Sequence, residues 1–210
     1  MSAEILKNII QNFSPFAFND FFREKNSAFK PFNEQLHQYN NENFTNCLFI
    51  GEIPFTSTEK LIIYSFKTTK NLKERSSKKL QYEKGKQILK ENQEDAGIFI
   101  FYDENKRFRF SLIHTTYVGA KRQWNSFKRY TYFVSPEETN KTFIQRIGGS
   151  DFSDLNNIKE AFSVEKVTKE FYQEIANWYF WALKKTKFPK DAELQPNGIN
   201  IALIRLITKL

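Results

Sequence analysis

The sequence predicts an α/β protein of the α+β kind: a mixed, mostly antiparallel sheet flanked by helices, followed by a helical connector. Three observations carry this prediction. Short β-branched and aromatic runs, "CLFIGEI" (47–53), "KLIIYSF" (60–66), "GIFIFY" (97–102), "RFRFSLI" (107–113) and "KRYTYFV" (128–134), recur through the middle of the chain, separated by turn formers. A polar stretch rich in helix formers lies between the second and third of them. After residue 135 the alternating pattern gives way to helical spacing.

Taken in order, "MSAEILKNIIQNF" has Glu4 where a secretory leader is basic and lacks a long apolar core, so it predicts a short amphipathic helix near 2–13. A second helix is predicted near 29–40, with Pro15 and Pro31 as break and first turn. These two make 1–44 an amino-terminal helical segment. Residues 45–134 form the core. Its first two strands are joined by "PFTSTE" and predict an antiparallel pair. The basic stretch that follows predicts a helix of about four to five turns, with Asn71 as N-cap and Gly85 as its one interruption. "GIFIFY" is apolar throughout, as expected of a strand covered on both faces. "DENK" then turns the chain into a strand whose Phe108, Phe110 and Leu112 share a core face while Arg107, Arg109 and Ser111 share a polar, cationic one.

"SPEE" predicts the start of a helix, with Ser135 as N-cap, Pro136 at the first helical position and Glu138 completing a capping box. From Ser163 to about Lys187, the residues Val164, Val167, Phe171, Ile175, Trp178 and Ala182 fall at helical steps, with Glu165 near the positive end and Lys184, Lys185 and Lys187 near the negative one. "GINIALIRLITKL" predicts a last helix, still apolar at Leu210, which suggests a domain continued beyond it. Residues 135–210 are thus the helical connector.

The 210 residues suffice for one sizeable core without a metal or disulfide staple. With 23 Phe and 17% aromatic residues the chain is not a disordered tail. A single cysteine, Cys47, and two histidines, His37 and His114, exclude a Cys/His zinc cluster and point to a reducing, cytoplasmic setting. His114 has no acidic or thiol neighbour in sequence and reads as structural. No run of about 18 apolar residues exists, so no membrane span is predicted.

The net charge of +8 is unevenly placed. Nine bases and two acids lie between Lys67 and Lys90, and seven bases and no acid between Lys106 and Tyr130, so each segment carries a surplus of seven and the rest of the chain a deficit of six. Segregation of this kind favours an oriented electrostatic surface and a polyanionic partner. Candidate phosphate contacts are Lys73, Arg75, Lys78 and Lys79 in the first segment and Arg107, Arg109, Lys121, Arg122, Lys128 and Arg129 in the second. Trp124 and Phe127 stand among the latter, where an exposed ring could stack on a base; the alternative is a Trp124 tucked into the core.

The chain contains no Walker-type phosphate loop, no dinucleotide glycine fingerprint, no nucleophile elbow and no H-E-x-x-H helix. "FIGE" (49–52) has a lone glycine after a strand, which reads as a turn. One arrangement suggests metal chemistry: Glu52 and Glu59 flank the second strand, which ends at Lys67, and a helix follows. Nucleases of the PD-(D/E)xK kind hold Mg²⁺ on an acid from one strand and a second acid two residues before a lysine on the next. Here Glu52 and Glu59 would be the metal ligands and Lys67 would position the water, but Ser65 stands where the second acid belongs.

The segments "EDAGIFIFYDENKRFRFSLI", "KRYTYFVSPEETNKTFIQRIG" and "EAFSVEKVTKEFYQEIANWYFWAL" resemble the amino-terminal region of the large single-chain type IIG restriction-modification enzymes, whose later part carries an adenine-specific DNA methylase. The resemblance covers roughly residues 45–210. It implies a restriction-nuclease-like core, which the strand, strand, helix, strand order fits, and a chain continuing past "IALIRLITKL". The methylase motif of the N-P-P-Y/F kind is absent, so methylation is not expected of this chain. The expected function is that of a DNA-associated amino-terminal module binding duplex DNA through backbone phosphates. The alternatives are a divergent Mg²⁺-dependent endonuclease using Glu52, Glu59 and Lys67, and a docking module that contacts the methylase portion through the aromatic helix 163–187.

Overall fold

Seven strands form one mixed sheet in the computed structural model, which describes residues 1–188 and 196–208. The sheet follows chain order through β1 (Lys30–Gln35), β2 (Phe44–Pro54), β3 (Lys60–Thr68), β4 (Ala96–Tyr102), β5 (Phe108–Val118) and β6 (Lys121–Trp124), and β7 (Thr131–Val134) also pairs with β5. Helix α3 (Lys78–Glu91) is the crossover that makes β3 and β4 parallel; the other described pairs are antiparallel. The predicted fold class, sheet type and strand, strand, helix, strand order are therefore present.

Alternation along the strands sorts side chains onto two faces. Ile98 and Ile100 of β4 belong to one buried cluster and Phe99 and Phe101 to the other. The first face is covered by α1 (Ser2–Gln11), α2 (Phe18–Lys25), α4 (Lys141–Gly149) and α5 (Leu155–Phe162). Its centre is a set of phenylalanines in which Phe110 stacks on Phe18 at 5.8 Å and on Phe162 at 5.5 Å. Burying each such ring contributes about 2–3 kcal/mol. The opposite face is covered by α3 through Ile88 and Leu89. Gly85 does not interrupt this helix: a Cβ there would lie 2.5 Å from Ile113 Cδ1 and 2.8 Å from the Phe99 ring, so the missing side chain lets the helix rest directly on the sheet.

Several boundaries differ from expectation. Residues 29–40 are not a helix. They hold the edge strand β1, exposed along its whole length, followed by a short helical turn at His37–Tyr39. An edge tolerates Pro31, whose missing N–H breaks no ladder. The helix of that region is α2, three residues beyond Pro15. Helix α3 starts at Lys78, not at Asn71, because residues 72–77 are held from below as a loop. "SPEE" forms a turn: Glu138 N donates to Ser135 O, and Asn140 Nδ2 donates to both Ser135 O and Glu138 O, so α4 begins only at Lys141. Ser-Pro suits a turn as well as a helix start. Gly51, read as a turn, lies within β2, where a Cβ would meet Lys30 O at 2.3 Å.

The chain divides into two compact units, Met1–Ser163 and Val164–Leu210. The expected amino-terminal segment 1–44 and residues 135–163 thus share a unit with the sheet. The second unit pairs α6 (Val164–Lys185) with α7 (Gly198–Thr208), and Tyr179 Oη donates to Asn200 Oδ1 at 2.8 Å. Ala182 of the predicted stripe is buried, whereas Phe171 and Trp178 are exposed; the side chains of Val164, Glu165 and Val167 and the end of the chain at Leu210 lie outside the described residues. No described helix is long and apolar enough to cross a membrane.

His114 is buried edge-on against Tyr130, with Nε2 unpartnered, and burial pulls its pKa down to about 4. The folded protein therefore favours neutral imidazole more than the unfolded chain does. Stability from this group is complete above pH 6.5 and is lost as the pH falls toward 4, by up to about 3 kcal/mol. Urea unfolding at pH 7 and pH 4 should show His114→Gln losing less stability than the parent by about that amount; equal losses would contradict the assignment.

Candidate nucleic-acid interface

The loop before α3 is fixed by charged side chains from the β4–β5 turn and the start of β5. Asp103, nearly fully buried, accepts from Leu72 N at 2.7 Å through Oδ2 and from Asn105 N and Arg107 N at 2.9 and 3.1 Å through Oδ1. Arg107 Nη1 donates to Leu72 O at 3.2 Å. Arg109 Nη2 donates to Lys73 O at 2.9 Å, Glu74 O at 3.0 Å and Ser76 O at 3.4 Å. Together they hold 72–77 in place and set where α3 begins. Ser77, its N-cap, has a left-handed backbone and makes no side-chain cap, and the first turn contains no acid. The positive end of the helix dipole thus stands without a built-in anion.

A second basic segment is brought to the same place. Between β6 and β7 the chain leaves β5 and bulges over α3. Asn125 pins the bulge by donating from Nδ2 to Leu112 O at 2.9 Å and accepting at Oδ1 from His114 N at 3.1 Å. Tyr82 Oη of α3 donates to Asn125 O at 2.6 Å, and the Tyr82 and Phe127 rings lie 6.2 Å apart. The result is an open groove of about 820 Å³ lined by Arg75, Lys78, Lys79 and Lys128 together with Ser77, Leu80, Glu83 and Phe127. Glu83, the one acid there, lies 3.9 Å from Lys86. Burial, and then the neighbouring Arg109, holds the Lys78 pKa below its ordinary value.

Of the other predicted contacts, Lys73, Lys121 and Arg129 are exposed. Three arginines depart from their expected place. Arg109 is 1% exposed, and burial pulls its pKa down to about 10, so it is charged at neutral pH but belongs to the interior. Arg107 is half-buried against Asp103 and Leu72. Arg122 pairs with Asp95 at 2.8 Å and lies over Trp124 at 4.6 Å. The cationic face of β5 was expected at the surface, but α3 and its leading loop cover it. Trp124 is half-buried against the α3-side cluster, with Lys86 at 5.7 Å from its ring.

The residues of the metal reading are not brought together. Glu52 faces Lys60 at 3.2 Å and Lys30 at 3.7 Å. Glu59 is exposed in the β2–β3 turn. Glu52 is opposite Ile62 in the ladder, so Lys67, paired with Glu104 at 2.9 Å, stands five residues farther along β3, about 16 Å away. Ser65 is fully buried between Leu48 and Ile100, its Oγ unpartnered. Among the described residues no three His, Cys, Asp or Glu side chains group as metal ligands. Cys47 is also buried, its thiol pushed up to about 12.

The chain matches no protein-family model, no curated protein and no solved structure. Sequence reasoning missed Asp103 and Gln81. The signal for the first was an acid at a strand end four residues before an arginine; nothing in sequence marks the second.

Two substitutions test this geometry. Asp103→Ala should lower unfolding stability in urea by about 3 kcal/mol, because it orphans buried donors and an arginine; a loss under about 1 kcal/mol would show that Asp103 does not hold the loop. Ser65→Asp, which completes the acid-x-lysine pattern, should destabilise by a similar amount and gain nothing from Mg²⁺, since it places a carboxylate in an apolar core. A rise in Tm with Mg²⁺ would argue for a metal site.

Proposed function

We propose that this chain is a DNA-associated module that holds duplex DNA by its backbone phosphates. The supporting observation is the convergence of Arg75, Lys78, Lys79 and Lys128, from two distant basic segments, on one groove at the start of α3. Cations on a rigid framework neutralise phosphates whatever the base sequence. The resemblance to type IIG restriction-modification enzymes supplies the setting: a cytoplasmic enzyme in which sequence reading and methylation come from other parts. In that setting α6, which exposes Phe171, Tyr172, Phe180 and Trp181, offers a contact for the methylase portion.

The test is a titration of the purified chain with a fluorescent duplex of about 30 base pairs over a range of salt. Four phosphate contacts give a log–log slope of about −3.6, and Lys79→Ala or Lys128→Ala should each reduce it by about 0.9. Arg122→Ala, whose charge already faces Asp95, should leave the slope unchanged. Absence of binding at low salt, or slopes indifferent to the groove variants, would refute the proposal.

A further inference from the structure

Beneath the groove lies a narrow crevice that shares Lys78 and Phe127 with it. Lys78, Arg109 and Arg129 line the crevice together with Gln81, Ser111 and Thr131 and with aromatic and aliphatic side chains, and among the described residues no carboxylate does. Two of these side chains are 1% exposed and incompletely used: Arg109 has Nε and Nη1 without partners, and Gln81 has both amide atoms without partners. Nη2 of Arg109 is spent on the loop carbonyls. A buried guanidinium with two idle donors beside a second cation is an unfavourable arrangement by itself. The Phe133 ring lies 5.7 Å from the guanidinium, and Glu74, an exposed acid, only partly offsets the effect of burial on Arg109.

An anion removes the conflict, and the size of the crevice says which part of one enters. Its volume is about 10 Å³, enough for a single oxygen-sized atom. We infer that the start of α3 is a seat for one phosphate group: one oxygen enters the crevice toward Arg109 and Gln81, and the others remain in the groove with Lys79, Lys128 and the uncapped helix terminus. Helix N-termini favour phosphate for reasons of dipole and donor geometry, and the buried donors distinguish this one from an ordinary terminus. The ligand is a phosphoryl group, carried either by the DNA backbone or by a phosphorylated strand end. The inference rests on the DNA-binding reading for its ligand but makes a separate claim, that phosphate alone binds.

The full chain is heated with inorganic phosphate or with chloride at equal ionic strength. Phosphate at about ten times its Kd should raise Tm by about 4 °C, with no such shift in chloride. Lys78→Met and Gln81→Leu should abolish the shift. The Arg109 Nε–H resonance, followed by NMR in the unsubstituted chain, should move with phosphate and not with chloride, which keeps the test valid if either variant fails to fold. An unmoved resonance, or equal shifts in both salts, overturns the seat. If DNA binds with the expected salt slope while phosphate moves nothing, the seat fails and the DNA reading stands. If phosphate binds and the duplex does not, the reverse holds. A duplex with 5′-phosphates that binds more tightly than its 5′-hydroxyl counterpart assigns the seat to strand ends; equal binding assigns it to the backbone.

Discussion

The hydrogen bonds that Asp103, Arg107 and Arg109 make to the backbone of residues 72–76 govern what this protein presents to its surroundings. A loop that leaves a parallel-sheet crossover is ordinarily free to choose its path. Here Leu72 is held at both N–H and carbonyl, and three further carbonyls converge on one guanidinium nitrogen. Hydrogen bonds to buried charged groups are worth more than neutral ones, and losing one partner leaves the other stranded. Charges of the β4–β5 turn and the start of β5 therefore fix a loop more than 25 residues earlier in the chain, and with it the start of α3, where Arg75, Lys78 and Lys79 stand.

The second wall of the groove follows from a different constraint. β5 outruns β4 and continues to Val118, where β6 becomes its partner, while β7 resumes the pairing at residues 131–134. The two partners behave as one strand interrupted by a bulge, and the bulge has to satisfy its own backbone. Asn125 supplies both a donor and an acceptor to β5, and Tyr82 caps its carbonyl. Lys128 is thus carried to α3 by a segment anchored on both sides. Rigid placement of this sort limits what conformational entropy a ligand has to recover on binding.

The legible part of the structure was its periodicity. The strand runs, the crossover helix and the long aromatic helix each showed in local pattern, and β4, apolar at successive residues, was correctly expected to be covered on both faces. Arg109 shows what pattern cannot reach. Alternation put it opposite Phe108 and Phe110, which is where it lies, but whether that face meets solvent depends on α3 and on a loop whose position is set by Asp103. Ser135 and Asn71 failed as helix caps for a related reason: Ser, Asn and Pro suit turns and helix starts alike, and the choice falls to tertiary hydrogen bonds such as those of Asn140.

The two basic segments consequently do two kinds of work, which their equal surpluses conceal. Arg107, Arg109 and Arg122 are turned toward carbonyls, Asp103 and Asp95, and act as scaffold. Lys84 is buried over the Tyr39 and Phe66 rings. Arginine dominates the inner set because its planar fork can serve several acceptors, while lysine, a strongly hydrated point charge, fills most of the outer one. The field outside the molecule therefore comes from fewer cations than the charge count implies, and four of them, Arg75, Lys78, Lys79 and Lys128, line the groove at the start of α3, where the helix dipole adds to them. On the proposed DNA-binding reading, cations placed in this way would neutralise backbone phosphates without distinguishing one base from another.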